Sequence, residues 1–189
     1  MKKTTLLNKG RPLILASEQS ENIQNETISA IITPLTNKEL FKPGEYIYCK
    51  EPTIIVPIDR KEDFISKYNL DNSMEFKGKC YFYGNIIVDE EFYTPTISKQ
   101  MPKDVSRLFL KLTSAYTCNI KSLINTSTMK LIGCSTEEEL ESLWETIIDN
   151  YLYSTKNDKL RNKLSKTLYY YDNDPIVQVI IFDKINLEE

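Results

Sequence analysis

The chemistry open to this chain is bounded first by what it lacks, because its 189 residues include no histidine. That excludes Ser-His-Asp and Cys-His relays, histidine-ligated zinc or haem, and an imidazole pH switch. Three acidic groupings remain. Asp172-Asn173-Asp174 could offer two carboxylates to Mg²⁺. The same residues are good turn formers ahead of a strand. Asp89-Glu90-Glu91 follows a strand and reads as its solvated end. Asp183-Lys184 is a poor version of the acid-plus-lysine arrangement of a carboxylate nuclease. Cys49, Cys80, Cys118 and Cys134 include no CxxC pair. They read as half-buried thiols of a reducing compartment rather than as zinc ligands. The five glycines are too scattered to form a phosphate-cradling loop.

One stretch is concentrated in positive charge. Lys156, Lys159, Arg161, Lys163 and Lys166 stand against a single Asp158, and Tyr169, Tyr170 and Tyr171 follow. Cations beside aromatics can hold phosphates and stack bases. The alternative is a solvated helix surface followed by a strand of tyrosines. The formal net charge is −3, so attraction of nucleic acid by the whole surface is not expected, and any contact is local.

These residues need elements to position them. Residues 1–26 read as a polar N-terminal arm, apart from Pro12–Ala16. Residues 27–189 read as a single α+β domain, with any sub-boundary near 95–102. Strands are expected at Thr27–Ile32, Glu45–Cys49, Thr53–Val56, Lys79–Val88, Leu108–Leu112 and Ile176–Phe182, from alternation and β-branched runs. Asn119–Ile124 and Met129–Ile132, flanking Asn125–Thr128, read as a hairpin. A short helix fits Asp59–Leu70. The strongest helix runs from Ser135 to Tyr151. Ser135 and Glu138 there form a capping box, and Leu140, Leu143, Trp144, Ile147, Ile148 and Tyr151 make one apolar stripe. Trp144 belongs to that stripe as a core residue. The start Met1–Leu7 resembles a signal peptide, but Asn8–Arg11 breaks the apolar run too early, and no run reaches membrane-span length. The chain is read as soluble and intracellular.

The order of elements over Leu108–Tyr151 resembles one half-repeat of the TATA-binding protein family. The segment Ile120–Ser135 can be laid on that family's strand–turn–strand and the turn before its long helix. Asn119-Ile120-Lys121 and Met129 through Gly133-Cys134 are similar to the diverged members from nucleocytoplasmic large DNA viruses. A composition of 20 lysines to 4 arginines, 22 isoleucines and 14 asparagines agrees with an AT-rich genome of that kind. The resemblance implies a curved antiparallel sheet with amphipathic helices on one face. It also implies binding to double-stranded DNA or to transcription machinery, in a host nucleus or cytoplasm. The family kinks DNA with paired phenylalanines. Val105 and Ile124 stand at the corresponding positions, both smaller and aliphatic. Ser127-Thr128 replaces the family's Gly-Lys turn. A sheet altered in this way could serve as a protein-docking surface.

The expectation is a non-catalytic factor acting through DNA or protein binding, with a protein partner and without metal, cofactor or membrane. Its candidate nucleic-acid contacts are Lys156, Lys159, Arg161, Lys163, Lys166, Val105 and Ile124. The alternatives are a viral or phage assembly or interaction protein that does not bind DNA, and a metal-dependent enzyme using Asp172 and Asp174.

Overall fold

The computed structural model describes residues 2–35, 40–84, 93–96, 100–152, 159, 162 and 169–187. They build an α+β fold on two sheets. The first sheet uses β1 (Arg11–Ile14), β3 (Tyr46–Lys50), β8 (Phe109–Asn119), β9 (Ile176–Lys184) and β2 (Ala30–Pro34), in that spatial order. It is mixed: β1 runs parallel to β3, and every other pairing is antiparallel. The second sheet is antiparallel, in the order β5 (Ser73–Phe76), β6 (Lys79–Tyr83), β4 (Thr53–Pro57) and β7 (Thr94–Thr96).

The apolar run of β9 is explained by burial on both faces. Val177 and Val179 enter one core with Ala30 and Ile32 of β2. Ile180 and Phe182 enter another with Leu13, Ile31, Ile47, Leu110 and Leu112. The first core is covered by α4 (Ser127–Ile132) and α5 (Glu137–Leu152), through Met129, Leu140, Trp144 and Ile148. The second takes Ile23 from α2 (Ser17–Gln24). Helices therefore lie on both faces of the first sheet, not on one face as expected. In the second sheet, α3 (Lys61–Tyr68) buries Phe64 against Phe82, with ring centroids 4.5 Å apart.

Residues 2–26, expected as a polar arm, pack onto the fold. Residues Lys3–Lys9 form α1, which packs Leu6 and Leu7 on Phe109. Next come β1 and α2, with Gln19, Ser20 and Ile23 buried. The apolar positions here are few, and the strand is completed only by its parallel pairing with β3. Neither feature leaves a local period in the sequence.

The hairpin expected at 119–132 does not form. Ile120–Leu123 is a 3-10 turn and Ser127–Ile132 is α4. Thr126 caps this helix, its hydroxyl accepting the Met129 N–H at 3.3 Å. Ile120 and Leu123 in the turn, and Met129 and Ile132 in α4, are each three residues apart, and all four enter the α5 core. The cap of α5 is shifted by one residue from the expected box. Glu139 accepts the N–H groups of Ser135 and Thr136, while the Thr136 hydroxyl accepts the Glu139 N–H at 3.3 Å.

Gly133 ends α4 at φ 93°, and a Cβ there would lie 2.8 Å from Ile28 Cγ2. Gly133→Ala therefore combines left-handed strain with a clash. It should lower stability by about 1–2 kcal/mol in urea denaturation. An unchanged midpoint would show that this corner relaxes freely.

Candidate functional site: a cleft between the two sheet edges

The first sheet curls so that its two edge strands, β1 and β2, line one cleft. Its volume is about 280 Å³. Leu13, Leu15 and Ala16 form one wall, and Ile31 and Ile32 form the facing one. Ile147 and Tyr151 of α5 close a third side, and Leu40 and Phe41 stand at the rim.

Four polar side chains around this cleft, those of Gln178, Arg11, Gln19 and Asn150, are engaged by the protein itself. Gln178, buried on β9, holds the Phe41 backbone from both sides. Its amide accepts the Phe41 N–H at 3.1 Å and donates to the Phe41 carbonyl at 2.7 Å. Arg11 pairs with Glu45 at 3.1 Å and donates to the Leu40 carbonyl at 3.0 Å. Its guanidinium lies 4.3 Å from the centroid of the Phe41 ring. Gln19 accepts the Ala16 N–H at 3.2 Å, and Asn150 donates to the Thr146 carbonyl at 2.8 Å.

Both flanking edges are blunted. The Leu15 N–H bonds to the Lys50 carbonyl, so Arg11, Leu13 and Leu15 turn their backbone groups to β3, and Pro12 and Ile14 turn theirs away. The Phe182 N–H bonds to the Ser29 carbonyl, so Ile31 and Thr33 face β9, and Ala30, Ile32 and Pro34 face away. Each edge thus carries a proline among its outward positions, which removes one donor from each row, while the backbone groups of Ile14, Ala30 and Ile32 still point outward.

A second polar cluster lies where the two sheets meet. Glu51, 1% exposed, sits between β3 and β4, and Arg107 grips its carboxylate with three hydrogen bonds of 2.9–3.2 Å. Arg107 also donates to Asn72 at 2.6 Å and covers the Tyr83 ring at 4.2 Å. Burial pushes the Glu51 carboxyl above its ordinary range, against the opposing pull of Arg107. Its oxygens are spent on Arg107 and the Ser20 side chain, so the cluster serves as a clasp between the sheets.

The residues singled out from sequence are dispersed. Val105 is fully buried beside Tyr81, Tyr83 and Met101. Ile124 packs against the α5 core. The two lie in separate clusters, and Val105 has no surface to present to a groove. Lys159 is exposed on a helical residue, while Lys156, Arg161, Lys163 and Lys166 lie outside the described residues. Tyr171 is buried and Tyr169 is half-buried, the carbonyl of Tyr169 accepting the Trp144 indole N–H at 2.7 Å. Only Tyr170 of the three is exposed.

Asp172 and Asp174 are turn residues. Asp174 accepts the Lys121 N–H at 2.8 Å from a left-handed backbone, and Asp172 pairs with the Lys121 ammonium at 3.6 Å. Among the described residues no group of three or more His, Cys, Asp or Glu is placed to hold a metal. Asp89-Glu90-Glu91 lies outside those residues, and Lys184 is occupied by Glu26 at 2.7 Å.

All four cysteines are free, and Cys49, Cys80 and Cys134 are buried. Burial raises all three thiols, that of Cys134 to about 11, which disfavours the nucleophilic thiolate. Among the described residues no helix is long and apolar enough to cross a membrane.

Sequence reasoning missed the cleft. Its walls come from six separate stretches between Arg11 and Gln178, and the only local hint was the apolar Pro12–Ala16 run inside a polar segment. No protein-family model matches this chain, and neither a curated protein nor a solved structure matches it.

Proposed function

We propose that this chain is a non-catalytic binding protein whose site is the cleft between β1 and β2. The observation that carries the reading is a concave, apolar space of about 280 Å³ with the bordering side chains of Arg11, Gln19, Asn150 and Gln178 already hydrogen-bonded. Such a space is the usual form of a binding pocket. It presents shape and apolar area, and these four side chains are spent on holding its walls. Amide NMR spectra recorded with a panel of apolar fragments provide the test. Shifts concentrated at Leu13, Ile32, Phe41 and Gln178 are expected. Shifts only elsewhere, or none from the whole panel, would remove the cleft as the site.

A second reading keeps the DNA-associated role implied by the resemblance to the TATA-binding family. The observation in its favour is the exposure of Lys159 within the basic stretch. A gel-shift titration on AT-rich duplex should then show binding that weakens steeply with salt. No shift at low salt would eliminate that reading.

A further inference from the structure

We propose that the cleft takes an uncharged, mostly hydrocarbon small molecule rather than an anion or an added peptide strand; this rests on the cleft being the binding site. The cavity of about 280 Å³ is roughly twice the ~150 Å³ apolar cavity that holds benzene. It therefore suits a single medium-length aliphatic chain or a fused ring pair.

Charge is the first discriminator. Arg11 is the one charged side chain among the described lining residues. Its guanidinium is already paired with Glu45, bonded to the Leu40 carbonyl and laid on Phe41. A ligand carboxylate would have to compete with Glu45 for it, or sit against apolar walls at a large desolvation cost. A ligand ammonium would meet Arg11 itself.

Strand addition is the second discriminator. A peptide docking by β-augmentation needs a row of free backbone donors and acceptors. Pro12 and Pro34 each remove a donor, which leaves outward N–H groups only at Ile14 on β1 and at Ala30 and Ile32 on β2, a short row for a peptide strand to pair with. The segment at Phe41 is also pinned to β9 by both hydrogen bonds of Gln178, so the rim is already built around the cleft. A pre-formed apolar site of this kind binds without first breaking internal hydrogen bonds.

The experiment is calorimetric titration of the whole chain with 1-octanol, octanoate and octylammonium at neutral pH. Octanol should bind one-to-one, and each charged analogue should bind about tenfold more weakly or worse. Thr33→Phe, which pushes a ring into the cleft, should weaken octanol by about tenfold. Its fold is checked separately by circular dichroism, and the wild-type comparison stands without it. Octanoate or octylammonium binding as tightly as octanol overturns the uncharged class and leaves the cleft reading intact. Octanol failing to bind while other apolar fragments still shift the cleft amides overturns this ligand class alone. If no fragment shifts those amides, the cleft reading falls with it.

Discussion

Arg107→Met should destabilise the fold by about 3–5 kcal/mol, the cost of leaving a buried charge without its partner. Methionine keeps much of the volume, so the loss is mainly electrostatic. Glu51 would keep a carboxylate that is 1% exposed and has lost three hydrogen bonds. Asn72 and the Tyr83 ring would lose a contact in the same step. Domains of this size are stable by only about 5–15 kcal/mol, so the loss is a large fraction of the total.

The pH dependence carries a sign. Burial already raises the Glu51 carboxyl in the folded chain, the larger effect against Arg107 and Ser20. A raised acid means that the folded state binds more protons than the unfolded state between the two pKa values. Acidification through that window therefore favours folding. Without Arg107 the carboxyl rises further. The deficit of the variant should thus be largest at neutral pH and shrink towards about pH 5, near the ordinary carboxylate range. Urea midpoints at the two pH values measure this. Adding Glu51→Gln to the variant should restore part of the loss at neutral pH. A deficit that is equal at both pH values would mean that the clasp acts by packing alone.

Trp144→Ala carries the other large effect. Trp144 is 1% exposed in the core that joins α5 to β2 and β9. Its indole donates to the Tyr169 carbonyl at 2.7 Å and meets the Tyr169 ring edge-on at 6.5 Å. Truncation should cost about 3–5 kcal/mol from lost transfer energy and the cavity left behind. Trp144→Phe should cost less, about 1–3 kcal/mol, since it keeps most of the ring and loses the hydrogen bond. The sole tryptophan disappears in both variants, so circular dichroism in urea is the appropriate readout. Equal losses for Ala and Phe would assign the energy to the hydrogen bond instead of the packing.

Trp144 also shows where the sequence was informative. Six apolar residues at helical spacing, with an acidic first turn, make α5 legible, and the structure places it within two residues of the expected span. The run Ile176–Phe182 was equally plain, because a strand buried on both faces reads as a near-continuous apolar run, interrupted here only by Gln178. Short segments were less legible. In residues 119–132 the β-branched and polar residues favoured a hairpin reading. The outcome turned instead on the Thr126 cap and on a core reached only through α5. Local propensity is weak over six residues, and tertiary burial overrides it.

The sequence by itself determined what the chain lacks and where its long elements lie. Without histidine there is no imidazole chemistry, and long periodic runs form their elements almost regardless of context. The tertiary structure decided the rest. Glu51 and Arg107, 56 positions apart, meet only because β4 to β6 fold into a second sheet between them. The cleft exists only because the first sheet curls until its two edges share one cavity. The physical reason is the same in both cases. A residue's type and local spacing set which element it prefers, but strand pairing between distant segments sets which side chains share a space, and no local pattern encodes that pairing.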